Sequence, residues 1–332
     1  APVKFDGYLN QDAGTLNPYR HGEVFVLDDG TESDMDLGTY ERFLDQNITK
    51  DNYLTGGKIF NRILSRERAG KYLGRDVQFI PHVTGEIKLF LRELAVKSQA
   101  DIVFVEVGGT VGDIENNYFI EAMRELTYEE GKKNVLHIAL TYVLEPNFLG
   151  EQKTKAAQLG IRNLMSMGIQ PNIIPIRAEK PVTYKSRQKI SVFSNVPLNR
   201  VLSSHNMKSI YLIPSLLNES KTDEEVIKLL NLQAKAPTEQ LTAWENNAKK
   251  ILSLQNSMTI GITGKYTSLR DSYASIINAV EHAGIRANIK VNIKWIDTEG
   301  IESNETTVGA ELQNIKGIIV PGGLARGAWK AK

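Results

Sequence analysis

Apolar and polar positions change period repeatedly along the chain. Residues 101–107 read Asp-Ile-Val-Phe-Val-Glu-Val, a β-branched apolar run that predicts a buried strand. Gly108, Gly109 and Gly112 interrupt it, and a helical period follows from 114 to about 132. Strand, glycine turn and helix in that order form a usual place for a phosphate or nucleotide, because ligands sit beyond the carboxyl ends of parallel strands. Glu106 is the odd residue of the run. A carboxylate buried there is costly unless a cation or a hydrogen-bond donor meets it.

The same changes of period predict the other elements. Val3-Lys-Phe-Asp-Gly7 reads as a short strand, and residues 22–30 as an alternating strand that ends at the turn pair Asp29-Gly30. The polar loop 10–22 between them is long for a connection, and such loops are frequently functional. Asp34 and Asp36 lie two apart, which in an extended segment puts both carboxylates on one side; a solvated acidic turn explains them equally well. Residues 46–100 read as mostly helical and polar, except that 77–84 predict a strand ending in a loop. His82 lies there, and its plainer reading is a structural hydrogen-bonder. Residues 134–144 predict another buried strand, 156–167 a helix closed by Gly168, and 172–177 a strand. A helix bearing Lys189 is expected over 182–193, and a last strand or loop over 209–214. Lys153-Thr-Lys155 stands just before the 156–167 helix. A basic pair there suits a phosphate, because its charge adds to the amide dipoles of the helix start; on spacing alone, two surface lysines are the plainer reading.

Strands alternating with helices predict an α/β fold with a doubly wound, mainly parallel sheet. Residues 1–217 form one expected domain, 218–257 a polar helical linker, and 258–332 the start of a second α/β unit. That last unit holds a strand from 258, a helix over 271–283 and strands near 290–296 and 315–323. The chain opens almost at once in strand-like sequence, as if entered in mid-domain.

Composition narrows the chemistry. The 332 residues carry a formal net charge of +1, with 41% hydrophobic and 24% charged residues, which describes an ordinary globular protein. Balanced charge gives no support for binding to nucleic acid or to a membrane surface. No signal peptide or membrane-length apolar run occurs, and a cytoplasmic location is expected. The chain has no cysteine, so it offers no thiolate metal site and no cysteine nucleophile. A complete G-x-x-x-x-G-K-[ST] loop is absent: Gly264-Lys265 is followed by Tyr266, and Gly57-Lys58 by Ile59. A G-x-G-x-x-G fingerprint fails because position 107 is Val. H-E-x-x-H and G-x-S-x-G do not occur either.

Several motifs in a fixed order are nonetheless distinctive. They are Gly22-Glu-Val-Phe-Val26, Asp34-Met-Asp-Leu-Gly-Thr-Tyr-Glu-Arg-Phe43, Gln78-Phe-Ile-Pro-His-Val-Thr84, Glu106-Val-Gly-Gly-Thr-Val-Gly-Asp-Ile-Glu115, Lys153-Thr-Lys155, Gly168-Ile-Gln-Pro171 and Ser209-Ile-Tyr211. In these the chain resembles the CTP synthase family. Gly261-Ile-Thr-Gly-Lys-Tyr266 and Val320-Pro-Gly-Gly323 resemble the opening of that family's glutaminase domain.

The resemblance implies a dethiobiotin-synthetase-like, P-loop NTPase-like amidoligase core followed by a class I glutaminase-like domain. The implied reaction is phosphorylation of the uracil 4-oxygen of UTP by ATP, then displacement of phosphate by ammonia to give CTP. Glutamine supplies the ammonia through a tunnel, CTP inhibits at the UTP site, and the enzyme is a homotetramer. Asp36 and Glu106 match the family's magnesium ligands, and Lys4 a lysine beside the ATP phosphates. Asp36, Lys4 and Glu106 are thus the implied catalytic set. His205, Asn206 and Met207 match the adenine-binding segment. His82, Asp113, Ile114, Glu115, Lys153, Thr154, Lys155, Ala156, Ala157, Gln158 and Lys189 match the UTP and CTP contacts, and Gly323 a glutamine contact.

Departures from the family pattern carry expectations of their own. The family begins with a strand and a glycine-rich loop bearing a lysine, and neither precedes Ala1 here. The family's Lys-Thr-Lys-Pro-Thr-Gln is Lys153-Thr-Lys-Ala-Ala-Gln158, and residues 324–332 do not follow its pattern. The 332 residues alone are therefore expected to bind ATP weakly and to make no CTP. A non-catalytic module that binds UTP or CTP and oligomerises is the alternative. A ligase of the same fold acting on another substrate is a third reading, disfavoured by Asp113-Ile-Glu115 and Lys153-Thr-Lys155.

Overall fold

The structure is a computed structural model that describes residues 1–146, 150–233, 239–264 and 266–322. In chain order the first elements are β1 (Pro2–Asp6), α1 (Pro18–His21), β2 (Val24–Val26), β3 (Glu32–Asp34), α2 (Met35–Leu44), β4 (Tyr53–Thr55) and α3 (Gly56–Arg68). Then come α4 (Thr84–Ser98), β5 (Phe104–Val107), α5 (Ile114–Glu130), β6 (Thr141–Tyr142), α6 (Lys155–Ser166), β7 (Ile174–Ala178), α7 (Tyr184–Ser194) and β8 (Val201–His205). The remainder is α8 (Ile213–Glu219), α9 (Thr222–Leu229), α10 (Glu239–Ser253), β9 (Ser257–Gly264), α11 (Ala274–Ala287), β10 (Lys290–Asp297), α12 (Thr298–Glu302), α13 (Val308–Glu311) and β11 (Gly317–Ile319). The fold is mixed α/β with mainly parallel sheets, as the alternating periods predict.

The chain divides into two compact units: Ala1–Gln11 with Leu54–Glu245, and Asp12–Tyr53 with Asn246–Lys332. In the first, β1 and β5 pair in parallel, with Val3 against Val105, Lys4 against Glu106 and Phe5 against Val107. A second parallel sheet runs in the order β6-β7-β8. One continuous apolar core serves both sheets, from Val3 and Phe5 through Ile87, Phe119 and Ala122 to Ile161, Ile174, Ile176 and Ile190. Phe5 is its hub: its ring stacks on Phe119 at 4.8 Å and meets Phe90 edge-on at 6.4 Å. Such ring pairs contribute roughly 0.5–1.5 kcal/mol beyond the area they bury.

The helices of this unit begin where the sequence offers a cap. The Thr55 hydroxyl accepts from Lys58 N at the start of α3, and Thr183 accepts from Ser186 N at the start of α7. Each satisfies one of the orphan donors of a helix start. Gly168, at φ +85°, follows α6, a turn that a side chain would strain. The α5 helix buries Asn116, Tyr118, Phe119, Ile120, Ala122 and Met123, a broad stripe that packs it deep into the core.

In the second unit, β9 lies between β10 and β11, and all three run parallel. The antiparallel hairpin β2-β3, turning at Asp29-Gly30, belongs to the same unit. Asp34 closes that hairpin and its side chain accepts from Asp36 N, so it caps α2.

Four expectations are corrected. The β5 strand is not buried: Phe104 is 60% exposed, and the Glu106 side chain 46%. It is the outer strand of its sheet, so only the Val105 and Val107 side packs on the core. The 134–144 run forms only the two-residue β6 and isolated bridges at Ile138 and Leu144; Ala139 and Val143 are buried while Ile138, Leu140, Tyr142 and Leu144 are exposed. Residues 79–83 form a wide helical turn entering α4 instead of a strand, with Ile80 alone extended and Pro81 having no amide to offer a ladder. Residues 210–212 are a helical turn capped by Ser209, and the strand expected near them is β8, at 201–205.

A charged seam joins α4 to α5. Lys88, almost fully buried, donates to Glu125 and to Glu129, and Arg92 Nη2 reaches Glu129 at 2.7 Å. Burial alone lowers the Lys88 ammonium, but the two glutamates outweigh it and hold it above its ordinary range. Lys88 and Arg92 hold the Glu129 carboxyl below the carboxylate range. A Lys88→Ala protein is expected to lose about 2–3 kcal/mol in urea unfolding, below the 3–5 typical of a broken buried pair because Glu129 is partly solvated. The pH dependence has two ends. Glu129 stabilises above its unfolded pKa, and that contribution fades as pH falls through its lowered folded value. His137, held below its ordinary value by burial, adds a loss that begins as pH falls below about 6.5. Lys88 stabilises up to its unfolded pKa, and its contribution is lost as pH rises through the raised folded value. Urea midpoints across this range, with and without His137→Gln, test the ordering.

Candidate functional site

Three groups of side chains stand at strand and helix ends in the first unit. The first is on β1 and β5. Because Lys4 and Glu106 are in register, their side chains rise from the same face, and Lys4 Nζ donates to Glu106 Oε1 at 2.8 Å. The lysine side chain is 7% exposed and the glutamate 46%. The cost of burial anticipated for the acid thus falls on the lysine, and the acid is its partner. Two residues on, Asp6 is buried and its Oδ2 accepts from Tyr8 Oη at 2.9 Å. The chain after β5 turns through Gly108 and Gly109 onto the start of α5. A side-chain carbon at Gly108 would meet Asp6 Oδ1 at 2.6 Å, and one at Gly109 would meet Asn116 Nδ2 at 2.1 Å. Asp113 precedes α5, and its Oδ2 accepts from Thr110 N at 3.3 Å. Asp113, Ile114 and Glu115 are all exposed there.

The second group surrounds a surface hollow of about 490 Å³ lined by Gln158, Lys185, Gln188, Lys189, Val192 and Phe193. Gln158 comes from the first turns of α6, where its Nε2 donates to the buried Thr154 Oγ1 at 3.1 Å. The others come from α7 at the spacing of one helical face. Arg162 lies over the Phe193 ring at 4.9 Å and holds it at the rim. Lys153 Nζ donates to Glu151 Oε2 at 2.8 Å, and Lys189 Nζ lies 3.9 Å from Glu151 Oε1. Lys153, with Lys189 and Lys185 behind it, holds the Glu151 carboxyl below its ordinary value. Gln152 is buried and ties this loop down: its amide donates to Pro181 O at 3.0 Å, and its oxygen accepts from Thr183 N at 2.9 Å. The arrangement suits a polyanion with a flat apolar part, since cations and an aromatic ring share the hollow.

The third group is at the carboxyl end of β8. Arg177 Nη1 donates to Ser204 O at 2.8 Å and Nη2 to Asn206 Oδ1 at 2.9 Å. Asn206 N donates to Ala178 O at 2.9 Å, and His205 Nδ1 shares a 3.1 Å hydrogen bond with Ser203 Oγ. The backbone at His205 and Asn206 is thereby held while Asn206 remains exposed.

A family model described as "CTP synthase N-terminus" matches residues 1–232. The chain belongs to the CTP synthase family. A CTP synthase of Pyrococcus abyssi is 48% identical over 327 residues, covering 98% of the chain and 60% of that protein. One of Carboxydothermus hydrogenoformans is 46% identical over 321 residues (97% and 59%), and one of Listeria innocua 41% over 329 residues (99% and 61%). The chain therefore spans about 60% of the length of these CTP synthases.

The structure brings Lys4 to Glu106, Gln158 to Lys189 and to Thr154, and links Lys153 to Lys189 through Glu151. Asp36 belongs to the other unit, in the first turn of α2. Lys155 and Ala156 are exposed at the start of α6, whereas Ala157 is buried in the core. Among the hollow-lining residues His82 does not figure; its Nδ1 accepts from Gln78 N at 3.0 Å, and its ring meets Tyr72 at 5.1 Å. Gly323 lies outside the described residues. Among the described residues no group of three or more histidine or acidic side chains converges, and no helix is long and apolar enough to cross a membrane. Sequence reasoning missed Asp6, Lys185, Gln188 and Phe193. An acid closing a strand before Gly7, and the 185-188-189-192 stripe, were the available signals.

Glu151 competes with any anion for Lys153 and Lys189. Glu151→Gln is expected to tighten inorganic tripolyphosphate binding about threefold at low salt, the scale of an exposed ion pair, with the gain shrinking as salt rises. Isothermal titration at two ionic strengths measures it.

Proposed function

We propose that this chain carries the nucleotide half of a CTP synthase: ATP-dependent amination of UTP to CTP. The observation that carries the reading is the family match over residues 1–232, which takes in every group described in the first unit. In this reading ATP donates its terminal phosphoryl group to the uracil 4-oxygen. Ammonia then adds at C4, and inorganic phosphate leaves with that oxygen. The Lys4 ammonium lies beside the phosphates and offsets charge that develops during transfer. His205, Asn206 and Met207 hold adenine through their backbone. Lys153, Lys155 and Lys189 bind the UTP triphosphate, with Thr154, Ala156, Ala157, Gln158 and His82 in the same role. Asp113, Ile114 and Glu115 contact the pyrimidine nucleotide, including CTP as inhibitor.

Magnesium, when bound, neutralises phosphate charge. Glu106 offers the hard carboxylate oxygens that this ion prefers and is more exposed than its lysine partner, so its chemistry fits the role. Asp36 keeps the metal role implied by the family resemblance. Glutamine as ammonia source, with Gly323 among its contacts, tetramer assembly, a cytoplasmic location and the division at 217 and 257 belong to the same proposal.

A second reading is favoured by one observation: the 332 residues contain no cysteine. In that reading they are a non-catalytic module that binds UTP or CTP and oligomerises. Melting curves test the shared part. Millimolar CTP or UTP is expected to raise the melting temperature, because a ligand of the folded state stabilises it. Lys189→Ala is expected to remove the shift; no shift with either nucleotide rejects both readings. An assay with ATP, UTP, magnesium and high ammonium separates them. CTP formed there supports the first reading, and none from a protein that binds both nucleotides supports the second. In a protein that makes CTP, Glu106→Ala should reduce synthesis to a few per cent or less.

A further inference from the structure

The segment that leads to Asp34 and Asp36 meets the start of α11 through a carboxylate. The α11 helix has no side-chain cap of its own, since Tyr273 precedes it without a capping hydrogen bond. Glu23, 252 residues earlier in the chain, supplies the acceptors. Its Oε2 accepts from Ser275 N at 2.9 Å and its Oε1 accepts from the same amide at 3.0 Å, while the Ser275 hydroxyl also donates to Oε1. Glu23 N in turn donates to Asp271 O at 2.9 Å. A carboxylate at the start of a helix satisfies orphan donors and meets the positive end of the dipole.

Contacts on either side make this a clamp. Ser272 Oγ donates to Pro18 O at 3.2 Å, the Tyr19 and Tyr266 rings meet edge-on at 4.9 Å, and Arg42 Nη1 on α2 donates to Ser275 Oγ at 3.3 Å. From Glu23 the chain enters β2 at once. The β2 strand pairs with β3, in which Val24 is opposite Asp34, and β3 runs into α2 through the Asp34 cap. From Glu23, two ordered steps lead to Asp36, and Arg42 gives α2 a direct contact with Ser275 besides.

We propose that Glu23 is a positioning residue that makes the Asp34–Asp36 segment and the β9–α11 part of the sheet move as one body. Its consequence for catalysis rests on the function proposed above. A glutamine-hydrolysing event sensed at β9 and α11 would reach the acidic segment through Glu23, and the state of that segment would reach α11 by the same path.

Hydrogen exchange on the 332-residue chain, read by mass spectrometry, tests the clamp without reference to any substrate. Glu23→Gln is expected to speed exchange on the order of tenfold in 275–278 and in 34–38 together, the scale of a lost cap. Peptides from 174–178 should be unchanged. Faster exchange in 275–278 alone, or across the whole chain, overturns the proposal, the first because Glu23 is then only a local cap. Glu23→Asp, which keeps the charge, should restore part of the protection in both segments. In any form of the protein that also carries a glutamine-hydrolysing part, Glu23→Gln should lower glutamine-driven CTP formation about tenfold relative to ammonium-driven formation. An unchanged ratio rejects the catalytic consequence. Absence of ammonium-driven CTP in the parent protein rejects the proposed reaction and leaves the exchange result to judge the clamp.

Discussion

The pairing of β1 with β5 is the constraint on which most of the first unit depends. Its register divides the two strands into faces with different tasks. Val3, Phe5, Val105 and Val107 face the core, where Phe5 meets rings from α4 and α5. Lys4, Asp6 and Glu106 occupy the other face. A slip of one residue would exchange the faces, placing charges among aromatic rings. The energy that fixes the register comes from the apolar side; the polar side receives its geometry from that register. Strands that cannot slide bring the cation and the acid opposite each other.

Charge in this molecule is organised locally. A formal net charge of +1 hides a seam of glutamates and basic residues between α4 and α5, a lysine-lined hollow on α7, and acids gathered at the start of α2. Each has a different physical setting. The seam is partly desolvated and holds two helices together. The hollow is open to water, so its cations attract anions at a strength that salt controls. The acids near α2 are placed by a hairpin and a cap.

Legibility in the sequence followed the range of each interaction. The β2 strand with its turn at Asp29-Gly30, α5, α6, α7, β7, β9 and β10 were readable because period and turn residues are local properties. The α/β class followed from their order. The exposure of β5 was not readable, because an apolar run does not say how many layers cover it. The same holds for 134–144, where only alternate residues are buried. The β8 strand was missed because its second half, Ser203-Ser204-His205, reads as loop. At the site, Glu106 was visible as a chemical anomaly, and its partner Lys4 only through the family resemblance; proximity over 102 residues leaves no local trace. Glu23 left none at all, since its partner is 252 residues away. The substrates came from the family resemblance, not from spacing.

The glycines around the β5–α5 turn have a bearing on how far this sequence can vary. At Gly7 an added carbon would lie 2.4 Å from Asn116 Oδ1 and 2.8 Å from the Glu115 carbonyl oxygen. At Gly109 it would lie 2.1 Å from Asn116 Nδ2, on a backbone whose φ of +82° already disfavours a side chain. Asn116 is itself buried, so it has little room to retreat. Gly7 and Gly109 stay fixed even when Asn116 is shortened, because the Glu115 carbonyl oxygen still stands 2.8 Å from a carbon added at 7 and the backbone at 109 keeps its positive φ, so a randomised library at these three positions has its freedom at 116.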